Sequence, residues 1–139
     1  MKKVFLDSSV FFSAVNSPTG GSAKLFILKN IHIVTSKLVL TEVERNVRKK
    51  LLEYHLERFF VLVEKIKIMN LPPEVDLIKK AEKVIVKKDA TILSQNKQAE
   101  SNYLVTLDKK HFLQNEVHQF IAPTRVLTPK DLLQILKKV

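Results

Sequence analysis

The stretch Val4-Phe5-Leu6-Asp7-Ser8-Ser9 decides the fold, because a short run of apolar residues ends in a carboxylate. Its β-branched and aromatic side chains predict a buried strand over residues 3–7. Acids are scarce in this chain, with 14 Asp and Glu against 24 Lys and Arg. A carboxylate that directly follows a buried strand therefore needs a reason, and coordination of a hard divalent cation is the best one available.

Three further acids lie at the mouths of apolar segments: Glu42 in Val39-Leu40-Thr41-Glu42-Val43, Asp89 in Lys88-Asp89-Ala90-Thr91-Ile92, and Asp108 after Leu104-Val105-Thr106-Leu107. Each has an ordinary alternative role. Asp7 and Asp89 could cap helices, Glu42 could favour a helix dipole, and Asp108 could be a turn residue before two lysines.

Hydrophobic periodicity predicts strands that alternate with helices. Strands are expected at residues 3–7, 31–36, 103–106 and 120–122. Helices are expected after Ser8 or Ser9, after an N-cap at Ser22, from near Ser36, over 52–68, around 77–85, from Asp89, and from Thr128-Pro129. This order predicts a single domain over residues 1–139, an α/β fold with three α/β/α layers and a mostly parallel central sheet. In such folds sites form beyond the carboxyl ends of the strands, where the four acids can meet.

The composition excludes several kinds of chemistry. With no cysteine, disulfides, thiolate zinc sites and cysteine nucleophiles are ruled out. The net charge of +10 favours a polyanionic partner such as nucleic acid, although lysine-rich surfaces also simply keep proteins soluble. The N-terminus lacks the apolar core of a signal peptide, and no run approaches the ~20 residues that span a bilayer. A cytoplasmic protein without membrane contact is therefore expected.

Together the four motifs resemble the ordered signature of PIN-domain ribonucleases, a family that includes the toxins of many prokaryotic toxin–antitoxin pairs. They are Val4-Phe5-Leu6-Asp7-Ser8-Ser9, Ser36-x-x-Val39-Leu40-x-Glu42, Asp89-Ala90-x-Ile92-Leu93 and Leu104-Val105-Thr106-x-Asp108-x-x-His111-Phe112. The resemblance implies that Asp7, Glu42, Asp89 and Asp108 are the catalytic, metal-binding acids. It also implies that Ser9 and Thr106 support the site.

The same resemblance implies an endoribonuclease that uses Mg²⁺ or Mn²⁺ to hydrolyse RNA and leaves 5′-phosphate ends. RNA, a cognate antitoxin and a second copy in a homodimer are the implied partners. One alternative is a catalytically weak RNA-binding or interaction module on the same fold. Another carboxylate–metal enzyme, such as a phosphatase, is a remote alternative, because Asp7 is followed by Ser8 and Ser9 and not by a second Asp in an Asp-x-Asp pattern.

Two features near the acids have a less specific interpretation. His111 has no second histidine at ligand spacing, so a surface or packing role is favoured over that of a base or ligand. The lysine run at 79, 80, 83, 87 and 88 is typical of a solvated helix face, with RNA contact as the second interpretation.

Overall fold

The computed structural model describes residues 1–137 and contains a central sheet of five parallel strands in the order β3-β2-β1-β4-β5. The strands are β1 (Lys2–Leu6), β2 (Ile31–Ser36), β3 (Lys67–Met69), β4 (Tyr103–Val105) and β5 (Arg125–Leu127). All four strand pairings are parallel, which requires a crossover through helices between neighbouring strands. This agrees with the α/β class expected from the sequence.

The described part of the chain contains nine helices, of which eight lie between strands and the last follows β5. They are α1 (Ser8–Asn16), α2 (Gly21–Leu25), α3 (Lys37–Lys50), α4 (Glu53–Val63), α5 (Val75–Ala81), α6 (Lys87–Ala99), α7 (Lys109–Phe112), α8 (Asn115–Ile121) and α9 (Pro129–Lys137). Helices α1 to α4 and α9 form one packed group, while α5, α6 and α8 form another. The sheet lies between helical layers, which gives a three-layer α/β/α sandwich.

Strand β1 occupies the centre of the sheet, and this position explains why its side chains are apolar on both faces of the sheet. It pairs with β2 on one side and with β4 on the other, with Val4 opposite Ile33 and Tyr103. Val4, Phe5 and Leu6 are completely buried, as expected for a strand covered by helices on both faces. The chain therefore leaves the middle of the sheet directly at Asp7.

Two predicted elements were wrong. The helix expected over residues 52–68 ends at Val63, and Lys67–Met69 forms the edge strand β3. The strand expected at 120–122 is the end of α8, and the fifth strand follows at Arg125–Leu127. Both errors have the same cause, since a short apolar run fits a helix face and a strand equally well.

Of the N-caps predicted at Ser36 and Ser22, the first is confirmed and the second is wrong. Ser36 is the N-cap of α3, where its Oγ accepts a hydrogen bond from the Val39 amide at 3.2 Å. Ser22, expected as an N-cap, instead lies inside α2, whose N-cap is Gly20. Among the helices of residues 1–137, none combines the length and hydrophobicity needed to cross a bilayer.

Candidate metal centre

The carboxylate of Asp7 lies at the carboxyl end of the central strand and is held by two hydroxyl groups. Its Oδ2 accepts a hydrogen bond from Ser9 Oγ at 2.9 Å and another from Thr106 Oγ1 at 2.8 Å. Asp7 also occupies the N-cap position of α1, but its side chain makes no capping hydrogen bond. The capping alternative therefore does not describe how this carboxylate is used.

Ser9 and Thr106 also fix the turn that follows β4. Ser9 Oγ accepts a hydrogen bond from the Leu107 amide at 3.1 Å, and Thr106 Oγ1 accepts one from the Asp108 amide at 3.0 Å. Each hydroxyl thus donates to Asp7 and accepts from the backbone that leads into Asp108. The two supporting residues inferred from the resemblance join the ends of β1 and β4 into one rigid unit.

Asp108 is paired with His111, one helical turn further along the chain. The Asp108 carboxylate accepts a hydrogen bond from the His111 amide at 3.1 Å, and the His111 Nδ1 atom lies 2.8 Å from Asp108 Oδ2. Asp108 is therefore the N-cap of α7, a role that differs from the turn residue considered as its ordinary alternative. The sequence favoured a surface or packing role for His111, and the Asp-x-x-His spacing is the pattern that could have indicated its contact with Asp108.

Asp89 lies in the first turn of α6, whose N-cap is Val86. Its Oδ2 is buried and has no hydrogen-bond partner among the described residues. A buried carboxylate oxygen without a donor is costly. This unpartnered atom is the observation that most directly indicates a missing ligand.

Glu42 lies in the second turn of α3, not at the helix start expected from the sequence. Its side chain is half-buried, while the neighbouring stripe of Val39, Val43 and Val47 is fully buried. Burial raises the pKa of Glu42, and the charge of Asp7 adds to this effect, since α3 brings the two acids to the same rim of the sheet.

Burial and neighbouring charges shift the pKa values of all four acids. Burial raises the pKa of Asp7 and of Glu42. Burial also raises the pKa of Asp89 to about 6, and the charge of Asp7 adds to this effect. Burial of Asp108 acts in the same direction, but the hydrogen bonds from His111 outweigh it, so the pKa of Asp108 is lowered. Three of the four acids therefore resist ionisation in the absence of a cation.

The residues fit a divalent cation. Asp89, Asp108 and His111 each offer a ligand atom, and these atoms lie within 4.8 Å of one another. Carboxylate oxygens are the ligands that Mg²⁺ and Mn²⁺ prefer, and the bare Oδ2 of Asp89 is one of them. Asp7 is coupled by charge to Asp89 and Asp108, and Glu42 is coupled to Asp7, but neither belongs to the group of three closely spaced ligand atoms.

Comparison with solved structures shows the same fold in several proteins. The chain resembles VapBC2 from Rickettsia felis, bound to a DNA fragment from its promoter, with a TM-score of 0.66 and 20% identity over 90% of this chain and 96% of that chain. VapBC-1 from nontypeable Haemophilus influenzae gives a TM-score of 0.61 and 16% identity over 92% and 98%. VapC20 from Mycobacterium tuberculosis, a sarcin-ricin loop cleaving toxin, gives 0.58 and 16% over 77% and 91%.

These identities are low, so the likeness to solved structures establishes the fold alone. A comparison with curated proteins found no match. The comparison with protein families is more informative, because the model of the PIN domain matches residues 4–116. That range begins in β1, ends in α8 and includes all four acids together with Ser9, Thr106 and His111. The chain therefore belongs to the PIN domain family.

Proposed function

We propose that this protein is a Mg²⁺- or Mn²⁺-dependent endoribonuclease in which Asp7, Glu42, Asp89 and Asp108 form the catalytic metal site. The observation that carries the proposal is the buried, unpartnered Oδ2 of Asp89 within an acidic group at the carboxyl edge of the sheet. An acidic cluster that raises the pKa of its own members destabilises the folded protein, which supports a functional and not a structural role.

The four acids have unequal roles in this proposal. Asp7 is held by the hydroxyls of Ser9 and Thr106, so its orientation is set before any ligand binds. Asp108 is held by His111 and stays ionised because its pKa is lowered. Asp89 has a free oxygen and a raised pKa, so a cation that binds this oxygen competes with a proton for it.

A bound divalent ion would supply charge neutralisation for the phosphodiester and a lowered pKa for a water molecule. The protein itself supplies the binding of the polyanion. Lys88 is adjacent to Asp89, and Lys109 and Lys110 directly follow Asp108. All three lysines are exposed, and their charges attract an RNA backbone towards a rim that would otherwise repel it.

The test is Mn²⁺ binding by titration calorimetry together with cleavage of single-stranded RNA, for the wild type, Asp7→Asn and Asp89→Asn. We expect each variant to lose at least about tenfold in Mn²⁺ affinity and about a hundredfold or more in cleavage rate, since each removes a charged ligand. Asp76→Asn is the matched control, because Asp76 is an exposed acid in the first turn of α5. Products with 5′-phosphate ends are expected.

Three outcomes would contradict the proposal. Cleavage that survives unchanged in Asp7→Asn would show that the site is elsewhere or that the activity is a contaminant. Tight RNA binding without cleavage in Mg²⁺ or Mn²⁺ would favour an RNA-binding module on the same fold. Equal cleavage of DNA of the same sequence would show a nuclease that is not specific for RNA.

We extend the proposal to a cytoplasmic toxin that is held inactive by a cognate antitoxin and forms a homodimer. Structural neighbours solved as VapBC complexes support the antitoxin. The stretch Phe59-Phe60-Val61-Leu62 in α4 is divided between core and surface. Phe59 and Leu62 are buried, while Phe60 and Val61 are 46% and 54% exposed, which supports a surface that a second copy would cover.

A further inference from the structure

A cleft lies beside the candidate metal site of Asp89, Asp108 and His111, and its lining has a different chemical character. Its volume is about 340 Å³, and its walls are the segment 82–86, which leads into α6, and the residues Lys110, His111 and Gln114. This volume is near the lower end for small-molecule sites, which begin at roughly 300 Å³. The cleft is therefore large enough for about one nucleotide and too small for a duplex.

Both walls of this cleft are connected to the proposed catalytic acids. On one wall Val86 is the N-cap of α6, and its carbonyl accepts a hydrogen bond from the Asp89 amide at 3.0 Å. On the other wall His111 is bonded to Asp108. The cleft therefore lies directly beside the proposed catalytic acids.

The cleft is lined by lysine side chains and by aliphatic side chains. Lys83 and Lys110 are exposed, and neither takes part in an ion pair among the described residues. Glu82 is the one acid of the lining. Val84 is half-buried and Val86 is 39% exposed, so aliphatic surface is available between the two lysines. Cations at the rim suit a phosphate, and an apolar surface suits the face of a base.

We propose that this cleft binds the nucleotide that flanks the scissile phosphodiester of a single-stranded RNA. Lys83 and Lys110 bind the phosphate of that nucleotide, and its base packs against Val84 and Val86. The Nε2 atom of Gln114 donates to the Lys110 carbonyl at 2.7 Å, which leaves the Gln114 Oε1 atom to accept from an exocyclic amine of the base. This proposal rests on the ribonuclease function proposed above and adds the residues that select and position the substrate.

The first test compares Lys83→Gln/Lys110→Gln with the control Lys79→Gln/Lys80→Gln. The two double variants lose the same charge, but Lys79 and Lys80 lie in the last turn of α5 and do not line the cleft. We expect the first double variant to raise KM for a short RNA by about tenfold and to reduce the slope of log affinity against log salt by about 1.4, since two phosphate contacts are lost. The control should change KM by less than about twofold.

The second test is photo-crosslinking from a benzoylphenylalanine placed at Gln114. Gln119, which is exposed on α8, provides the control position. The crosslink from position 114 should map to a nucleotide next to the cleavage position, and the one from position 119 should be weak or scattered.

The outcomes separate this proposal from the one on which it rests. Wild-type cleavage together with equal KM values for the two double variants would overturn the cleft and leave the ribonuclease intact. A crosslink from position 114 far from the cut would do the same. Absence of RNA cleavage by the wild type in Mg²⁺ or Mn²⁺ would overturn both proposals.

Discussion

Asp89 is the residue at which folding and the proposed function are most clearly opposed. Its Oδ2 is buried without a hydrogen-bond donor, and burial raises the pKa of the side chain to about 6. The folded protein therefore binds a proton at Asp89 more tightly than the unfolded chain does. The resulting stabilisation is fully present below the ordinary pKa of 3.8 and is lost as the pH rises through about 6.

Replacing Asp89 by Asn should therefore stabilise the metal-free protein near neutral pH. Asn keeps the shape and removes the charge that repels Asp7. After allowance for solvent screening of a partly exposed group, we expect the free energy of unfolding in EDTA to rise by about 1 kcal/mol at about pH 7.5. At about pH 4, where Asp89 is protonated in the folded protein, the gain should fall to a few tenths of a kcal/mol.

Urea unfolding at the two pH values measures this difference. Asp76→Asn serves as the control, because Asp76 is exposed and far less buried than Asp89. A loss of stability in Asp89→Asn at about pH 7.5 would mean that the carboxylate is satisfied in the folded protein, contrary to its lack of a partner in the structure.

At the scale of the elements, α3 carries Glu42 to the rim and depends on its first turn for its position. Ser36 ends β2 and is also the N-cap of α3, where its Oγ accepts from the Val39 amide. Val39, Val43 and Val47 are fully buried and dock the helix on the core. One serine thus terminates a strand, begins a helix and fixes the angle between them.

Ser36→Ala should lower the free energy of unfolding by about 1 kcal/mol, since the Val39 amide loses its acceptor in a buried place. Chemical denaturation followed by circular dichroism gives the value. Thr19→Ala, in an exposed loop before α2, is the control and should stay within about 0.5 kcal/mol of the wild type. Equal stability of the two variants would show that the cap contributes nothing.

The elements also show where sequence reasoning succeeds and where it fails. Residues 3–7 and 103–106 were placed correctly because a strand buried on both faces leaves a dense apolar pattern. Strand β3 has only three residues, none fully buried, so nothing distinguished it from a continuation of α4. Residues 120–122 are apolar but belong to a helix end, which periodicity over three residues cannot exclude.

For the candidate site, the sequence predicted the four acids but not the structural features around them. The four acids follow ordered motifs, and all four are electrostatically coupled in the structure. The role of His111 was not predicted, because its meaning depends on the short helix α7 and on a hydrogen bond to Asp108. The cleft beside the acids could not be predicted, since it is formed by segments about 25 positions apart that only the tertiary fold brings together.

At the scale of the whole molecule, one core joins the beginning and the end of the described chain. Phe5 is fully buried in the central strand. Helix α9, at the other end, packs against α2 and β5. This arrangement supports the expectation of a single domain, which requires that the chain unfold as one cooperative unit.

Phe5→Ala should lower the free energy of unfolding by about 3–5 kcal/mol, because it leaves a cavity in the middle of the sheet. The two tyrosines report on different regions, since Tyr54 is exposed on α4 and Tyr103 is buried in β4. Tyrosine fluorescence and far-ultraviolet circular dichroism should shift together. Val75→Ala, at a position that is 62% exposed, should cost less than about 1 kcal/mol. Two separate transitions would contradict the single domain.

The central position of β1 also sets the order in which the acidic group is completed during synthesis. Asp7 leaves the ribosome first, but the hydroxyl that orients it belongs to Thr106, 99 positions later. Domains fold as their chain emerges, at about 5–20 residues per second. A polypeptide released before Asp108 contains Asp7, Glu42 and Asp89 but lacks the acid that His111 holds. In this proposal a chain that stops before Asp108 lacks one of the four acids, so the nuclease becomes dangerous to the cell's RNA only after the ribosome has passed this residue.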